Sequence, residues 1–173
     1  METMTLKSPV GPLKLVMEKG CLTSLVFMKG ANGKRGTSGI RPGRPAASWQ
    51  PTKSPSAQLR NVCDQLEKYF FNPEWKFDVP VQLDGTDFQK RVWRGLRRIK
   101  PGSPLTYGEL ARKLKTGPRA IGGACRANPV PLIVPCHRVI AANSQGGFCG
   151  ETTGFSLVIK DWLLEHEGAV NLA

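Results

Sequence analysis

The chain has 173 residues, of which 25 are lysine or arginine and 13 are aspartate or glutamate, so its formal net charge is +12. This length fits one domain or two small ones, and a hydrophobic content of 40% excludes a disordered chain. No apolar run reaches the roughly 18–20 residues of a membrane span, so we expect a soluble intracellular protein without a membrane partner. The charge points to a polyanionic partner such as nucleic acid.

Cysteine and histidine usage argues against a disulfide framework and against a metal centre. The five cysteines are odd in number and have no paired CxxC spacing, which is typical of free thiols in a reducing compartment. Only two histidines are present, and neither precedes residue 137. We therefore expect no bound metal and no cofactor.

The basic residues are concentrated in two segments. Between Lys90 and Arg126 there are eleven lysines and arginines and a single acid, Glu109. The segment 29–53 has six basic residues and no acid, and its glycines, prolines and serines predict a flexible loop. This basic loop either keeps the protein soluble, which we favour, or contacts DNA.

Residues 1–82 predict a small α/β domain with an antiparallel sheet and one helix. Leu13–Met17 and Leu22–Phe27 are β-favouring runs separated by turn residues, which predicts a hairpin sheet. Ser54 resembles an N-cap, with Pro55 at the first helical position, and Asn72 ends the helix. The apolar residues at helical spacing predict its buried face: Leu59, Val62, Cys63, Leu66 and Phe70.

Residues 83–173 predict a second, mainly helical domain. Asp87–Ile99 predicts a helix with one apolar face and a basic opposite face. Thr106 and Glu109 form a capping-box pattern that begins a short helix, and a turn at 116–118 leads to the next helix, Arg119–Ala127. Two short helices joined by a glycine-containing turn are typical of a helix-turn-helix, and the basic surroundings favour this interpretation.

The second of these short helices has unusually little side-chain bulk. Gly122 and Gly123 lie inside it, although each glycine costs a helix about 1 kcal/mol relative to alanine. Either the helix packs closely against another helix, or its backbone approaches a DNA groove. In the second case Arg119 at its start and Arg126 two turns later would reach the nucleic acid.

An apolar segment bracketed by prolines ends in adjacent cysteine and histidine residues. Pro135 favours extended backbone before Cys136, whose thiolate would be a nucleophile beside a proton acceptor or a positive charge. His137 would act through a bridging water, because adjacent side chains seldom hydrogen-bond directly, and Glu167 would orient its imidazole. Taken alone, a single cysteine is more often an inert core residue, and no second ligand pair supports zinc.

Residues 135–139, Pro-Cys-His-Arg-Val, resemble the active-site signature of the methylated-DNA–protein-cysteine methyltransferases, the O6-alkylguanine–DNA alkyltransferases. Three further segments resemble motifs of this family in the same order. Residues 106–111 are similar to the first helix of its helix-turn-helix, 119–124 to its recognition helix and 160–168 to its C-terminal helix. The resemblance covers roughly residues 88–168 and favours a reactive Cys136 over an inert one.

The resemblance implies an α+β repair protein with a short active-site strand after a hinge at Asn128 and Pro129. Such a protein flips an alkylated guanine out of duplex DNA. The alkyl group would move from O6 of guanine, or O4 of thymine, to Cys136 in one irreversible turnover. We expect a monomer, nuclear in a eukaryote and otherwise cytoplasmic. One alternative is a catalytically silent relative that flips lesions without repairing them, although such relatives lack the cysteine. A cysteine hydrolase is the least favoured alternative.

The resemblance also implies roles for individual residues. Arg119 would fill the gap left by the flipped base, while the small residues of its helix would enter the minor groove. Tyr107 would rotate the phosphate and protonate N3 of guanine, and Lys160 would support the pocket near it. The catalytic set is then Cys136, His137, Glu167, Asn128, Tyr107 and Lys160. The DNA-binding set is Thr106, Tyr107, Arg119, Ala120, Gly122, Gly123 and Arg126. The substrate-pocket set is Pro131, Val139, Phe148 and Cys149.

Overall fold

The computed structural model describes residues 1–29 and 55–169, and the chain divides into two compact units, Met1–Gln82 and Leu83–Ala173. Apart from Lys29, the predicted basic loop lies outside the described residues. In the two described ranges, no helix is both long and apolar enough to cross a membrane.

The first unit contains a three-stranded antiparallel sheet in the order β1 (Glu2–Leu6), β2 (Leu13–Glu18) and β3 (Cys21–Phe27). Buried and less buried residues alternate along β2, so one face of the sheet contributes to the core. A register irregularity between β2 and β3 lets Leu22 and Leu25, three residues apart, both be buried. The predicted hairpin corresponds to β2 and β3, while β1 was not predicted.

The helix of the first unit, α1 (Ala57–Phe71), buries all five apolar residues that the sequence predicts. It begins later than predicted, because the N-cap is Ser56, whose side chain accepts a hydrogen bond from the Leu59 N–H at 3.2 Å. Asn72 is the C-cap, as predicted. The Ser56 N–H also donates to Oε1 of Glu2 at 2.9 Å, which fixes the start of α1 against β1.

The second unit is mainly helical, with two short strands. Its helices are α2 (Asp87–Leu96), α3 (Tyr107–Lys113), α4 (Pro118–Arg126) and α5 (Phe155–His166). The first of these ends earlier than predicted, because Arg98 and Ile99 donate to carbonyls only three residues back and Pro101 follows. Helix α5 begins at Phe155, five residues before Lys160, which begins the segment that resembles the C-terminal helix of the family.

Helices α3 and α4 form the predicted helix-turn-helix. The Thr106 side chain accepts from the Glu109 N–H at 3.1 Å, and the Glu109 carboxylate accepts from the Thr106 N–H at 2.7 Å, so the predicted capping box is present. In the turn, Lys115 has a φ of 51° and the Thr116 N–H donates to Ala111 O at 3.0 Å. This turn sets the direction of α4.

A buried tryptophan that the sequence analysis did not place holds α4 against α2. Trp93 is 1% exposed, and its indole Nε1 donates to the carbonyl of Ala124 at 2.8 Å. This bond satisfies the polar end of a large buried side chain, and it ties the C-terminal half of α4 to the core.

Two short parallel strands, β4 (Leu105–Thr106) and β5 (Val139–Ile140), connect the helix-turn-helix to the cysteine segment. Since Tyr107 directly follows β4, the pairing brings it close to the chain around β5. The predicted active-site strand begins only after the cysteine, and Cys136–Arg138 instead form one 3-10 turn. The turn is closed by N–H groups of Arg138 and Val139 that donate to the carbonyls of Pro135 and Cys136.

Candidate active site

A pocket of about 440 Å³ lies between α4 and the loop at residues 147–152, and Cys136 lies in its wall with 3% exposure. The predicted site residues that line it are Tyr107, Arg119, Gly122, Gly123, Arg126, Cys136, Phe148 and Cys149. Within residues 1–29 and 55–169, no cluster of three or more histidine, cysteine, aspartate or glutamate side chains could hold a metal ion.

Four residues of the predicted DNA-binding and substrate-pocket sets do not line this pocket. Pro131 and Val139 were predicted as pocket walls, but both are buried in the apolar core instead. Thr106 is occupied as the N-cap of α3, and Ala120 is exposed on α4. The pocket wall is supplied instead by residues that the sequence analysis did not select, among them Cys125, Glu151 and Thr152.

Asn128 fixes the backbone that carries the cysteine. Its Nδ2 donates to Val134 O at 2.7 Å and to Sγ of Cys136 at 3.2 Å, while its Oδ1 accepts from the Val130 N–H at 3.1 Å. One amide therefore joins both ends of the apolar segment, and it also presents a donor to the sulfur. A donor of this kind stabilises the thiolate more than the thiol.

The surroundings of Cys136 favour its ionised form. The hydrogen bond from the Cys149 thiol lowers the pKa of Cys136, and so do the Asn128 amide and the positive charge of Lys160. Burial acts in the opposite direction, but the pKa remains below the ordinary value of 9.0. Cys136 therefore has the character of a nucleophilic cysteine.

His137 is completely buried and oriented by one carboxylate. Its Nε2 lies 2.9 Å from Oε1 of Glu167, and its Nδ1 has no hydrogen-bond partner in the described part of the chain. Burial lowers the pKa of His137 below 6.5, despite the opposing effect of the carboxylate, so the imidazole is neutral near neutral pH. With the proton on Nε2 facing Glu167, Nδ1 is the atom able to accept a proton.

Arg138 is a residue of the site that the sequence analysis did not select. Its Nε donates to Oε2 of Glu167 and its Nη2 to Oε1, both at 2.9 Å, and its Nη1 donates to Ile99 O at 2.6 Å. Burial alone raises the pKa of Glu167, but His137 and Arg138 lower it to about 2. The signal in the sequence is a charged residue inside the mostly apolar segment 130–142. In the structure all eleven residues of 130–140 are buried, so this charge needs a buried acceptor.

Lys160 is fully buried and forms a clamp on three backbone carbonyls. Its Nζ donates to Val139 O at 2.7 Å, Gln145 O at 2.6 Å and Gly147 O at 2.9 Å, which uses all three N–H donors. Burial lowers the pKa of Lys160 to about 8. The ammonium group connects α5 with β5 and with the loop at the pocket.

Tyr107 and Phe148 form further parts of the pocket wall. The Tyr107 hydroxyl donates to Gly147 O at 3.4 Å, and burial raises the pKa of Tyr107 to about 12, so the phenol keeps its proton. Phe148 is 3% exposed, and its ring meets that of His137 edge-on, with centroids 6.4 Å apart. The phenyl ring therefore shields the imidazole from solvent.

The face of α4 at the pocket is open. A Cβ added at Gly122 or at Gly123 would meet no atom within 4 Å, so close helix packing, the first of the two explanations for these glycines, is wrong. Arg119 and Arg126 are both exposed at the two ends of the helix. The geometry leaves a thin, basic helix face that is free for another molecule.

The comparisons with known proteins agree with this geometry. Residues 87–169 match the family model described as 6-O-methylguanine DNA methyltransferase, DNA binding domain. A methylated-DNA–protein-cysteine methyltransferase of Methanosarcina acetivorans is 37% identical over 94% of this chain and 96% of its own length. One of Mycobacterium tuberculosis is 38% identical over 94% of this chain and 90% of its own length.

Solved structures show the same similarity. The crystal structure of Mycobacterium tuberculosis OGT in complex with DNA matches with a TM-score of 0.72 at 35% identity, covering 98% of this chain and 94% of that one. The O6-methylguanine methyltransferase of the same organism matches with a TM-score of 0.70 at 34% identity, over 97% and 93% of the two chains. The chain therefore contains a DNA-binding domain and belongs to the DNA-repair family of methylated-DNA–protein-cysteine methyltransferases.

Proposed function

We propose that this protein repairs O6-alkylguanine in duplex DNA, and O4-alkylthymine by the same chemistry, by moving the alkyl group to Sγ of Cys136. The observation that carries the proposal is the position of Cys136: an activated sulfur in the wall of a pocket whose other side is the open face of α4. A base that is to reach this sulfur must leave the DNA stack, which costs a few kcal/mol. We therefore include base flipping in the proposal.

The proton of Cys136 leaves through a buried relay. Nδ1 of His137 accepts it through a water molecule, while Glu167 holds Nε2 and stabilises the imidazolium that forms. The thiolate then attacks the alkyl carbon, a carbon–sulfur bond forms, and the bond from that carbon to O6 breaks with its electrons passing to the base. Tyr107, whose phenol keeps its proton, donates to N3 of the departing guanine.

The thioether that forms has no route back to a thiol in this site. Water does not cleave an alkyl carbon–sulfur bond under mild conditions. None of the residues given a role in the transfer activates the thioether carbon for attack by water. Each molecule therefore acts once. The silent alternative is disfavoured because Cys136 is present and its pKa is lowered, which a protein that only binds lesions does not need.

The DNA contacts come from α4. Arg119 lies at the first turn, exposed and on the rim of the pocket, where it can occupy the place of the flipped base. Gly122 and Gly123 allow the helix backbone to approach the minor groove, and Arg126 pairs with phosphate. The protein can act as a monomer, since every residue of this proposal lies in one chain.

A lesion-consumption assay tests the proposal. A duplex with a single O6-methylguanine is incubated with an equal amount of the protein, and the remaining methylated base is measured by chromatography after hydrolysis. We expect the lesion to be lost with the wild type and with Cys21→Ser, a cysteine outside the pocket, and retained with Cys136→Ser. A wild type that leaves the lesion intact, or a Cys136→Ser variant that removes it, would overturn the proposal.

A further inference from the structure

We propose that Cys136 and Cys149 are an oxidisable thiol pair, which a hydroperoxide converts to a disulfide that reversibly caps the nucleophile. The proposal rests on the proposed role of Cys136 as the alkyl acceptor. It adds a modification site to the same pocket, with hydroperoxides as the class of reagent and dithiols as the class of reductant.

The geometry places the two thiols in one pocket and in direct interaction. Both residues line the pocket, and the Cys149 thiol hydrogen-bonds to the sulfur of Cys136. Cys149 is exposed whereas Cys136 is buried, so a small oxidant meets the pair at the pocket mouth. Formation of a disulfide requires the two sulfurs to approach to about 2 Å, which an exposed turn residue can accommodate more easily than a core residue.

Cys149 occupies an unusual backbone position for this purpose. Phe148 and Glu151 exchange two backbone hydrogen bonds of 2.9 Å, and the two residues between them, Cys149 and Gly150, have φ values of 49° and 83°. This is a tight turn whose central positions favour glycine or asparagine, and the left-handed conformation costs another residue about 1 kcal/mol. Cys149 therefore adopts a backbone conformation that a residue other than glycine or asparagine rarely adopts, and its thiol hydrogen-bonds to Cys136.

The hydrogen bond assigns a different role to each thiol. It lowers the pKa of Cys136 and raises the pKa of Cys149, so Cys136 is the thiol of the pair that ionises first. Cys125 also lines the pocket, but burial raises its pKa well above the usual range, and it remains an unreactive thiol. Cys136 is then the sulfur that attacks the oxidant, and Cys149 is the sulfur that resolves the product.

The reaction balances in two steps. The Cys136 thiolate attacks one peroxide oxygen and breaks the O–O bond, which gives a sulfenic acid and an alkoxide or hydroxide that takes a proton from water. The Cys149 thiol then displaces the sulfenic hydroxyl, so that a sulfur–sulfur bond forms and water leaves. The two sulfurs together lose two electrons to the peroxide, and exchange with a dithiol restores both thiols.

Peptide mapping of the full-length protein tests the pair. The protein is treated with hydrogen peroxide, quenched with N-ethylmaleimide, digested without reductant and analysed by mass spectrometry. We expect a cross-linked peptide joining Cys136 and Cys149, with loss of methyl transfer that dithiothreitol reverses. In Cys149→Ser we expect no cross-link, and Cys136 oxidised to sulfinic acid, which dithiothreitol does not reduce. Cys125→Ser should still give the cross-link.

Three results would overturn the proposal: a cross-link from Cys136 to Cys125, no cross-link in the wild type, or equal recovery by dithiothreitol in Cys149→Ser. The peptide map does not depend on methyl transfer. If the untreated protein transferred no methyl group, the proposed function would fail, while the cross-link would still decide whether the thiol pair exists.

Discussion

Arg138 binds the carboxylate of Glu167 in a bidentate manner, with hydrogen bonds from Nε to Oε2 and from Nη2 to Oε1, each 2.9 Å long. The carboxylate is completely buried, and the same Oε1 lies 2.9 Å from Nε2 of His137. Because a guanidinium does not lose its proton, Glu167 stays ionised even when the imidazole is neutral. Arg138 therefore maintains the charge that orients His137, although it does not itself reach the pocket.

The first prediction concerns this ion pair. Arg138→Met keeps most of the side-chain volume but leaves Glu167 buried without its cationic partner, and breaking such a pair costs about 3–5 kcal/mol. Urea unfolding should show this loss. Arg97→Met, which removes an exposed arginine, should change the free energy of unfolding by less than about 0.5 kcal/mol. Equal stability of the two variants would contradict the role assigned to Arg138.

The second prediction is a pH dependence of stability caused by His137. Its pKa in the folded protein lies below the unfolded value of 6.5, so below that pH the unfolded state binds a proton that the native state does not. The free energy of unfolding should therefore fall as the pH is lowered from about 7 to about 5.5. His137→Gln should flatten this slope, and His166→Gln, which removes the other histidine, should keep it.

Urea titrations at several pH values measure both slopes. The carboxyl of Glu167 does not interfere in this window, because its pKa of about 2 in the folded state and 4.5 as the reference value put its own loss of stability at lower pH. A wild type and a His137→Gln variant with the same slope would show that the native imidazole is not held neutral.

The third prediction separates stability from DNA binding at the glycines of α4. Because a Cβ at Gly122 meets nothing within 4 Å, Gly122→Ala should stabilise the protein by up to about 1 kcal/mol in thermal unfolding. Gly122→Leu should fold equally well but weaken duplex binding, since its side chain projects toward the groove. Gly102→Ala is the contrast, because its Cβ would lie 2.6 Å from Glu167 O and its φ is 68°. It should destabilise the protein.

The effect of Gly122→Leu on DNA binding is measured as duplex affinity by fluorescence anisotropy. If Gly122→Leu binds DNA as tightly as the wild type does, the open face of α4 is not the surface that meets the groove.

The fourth prediction concerns Arg119. If its side chain fills the gap left by a flipped base, Arg119→Ala should slow repair much more than it weakens binding to undamaged duplex. Arg112→Ala, which removes an exposed charge from α3, should instead reduce both by similar small factors, because a phosphate contact carries no information on the lesion. Single-turnover repair rates and anisotropy on undamaged DNA provide the comparison. Parallel losses in Arg119→Ala would exclude the proposed insertion.

Local features of this chain were predictable because their partners lie close in sequence. The capping box at Thr106 and Glu109 is a contact over three residues, and the five buried positions of α1 follow from helical spacing alone. The Cys-His pair could be selected as a candidate site because reactive residue types follow one another after a proline. Glu167 was predicted with this pair, as the carboxylate that orients His137. The family resemblance then supplied the remaining members of the catalytic set, Asn128, Tyr107 and Lys160.

Contacts that depend on the fold were not predictable in this way. Arg138 and Glu167 are 29 residues apart, and Trp93 meets Ala124 across 31 residues, so no local pattern connects them. The 3-10 turn at Cys136–Arg138 was not predicted, for a different reason. Pro135 is compatible with a strand and with a 3-10 turn, and the choice depends on the pairing of β5 with β4. The contact of Cys149 with Cys136 likewise depends on a tight turn that the sequence alone does not locate.

The central claim is that Cys136 itself accepts the alkyl group, once. The most direct measurement is mass spectrometry of the intact protein and its peptides after incubation with an excess of duplex containing O6-methylguanine. We predict one added methyl group per protein molecule, located on Cys136, and consumption of an equal amount of lesion and no more. A methyl group on another residue, unmodified protein, or consumption of many lesions by each molecule would contradict it.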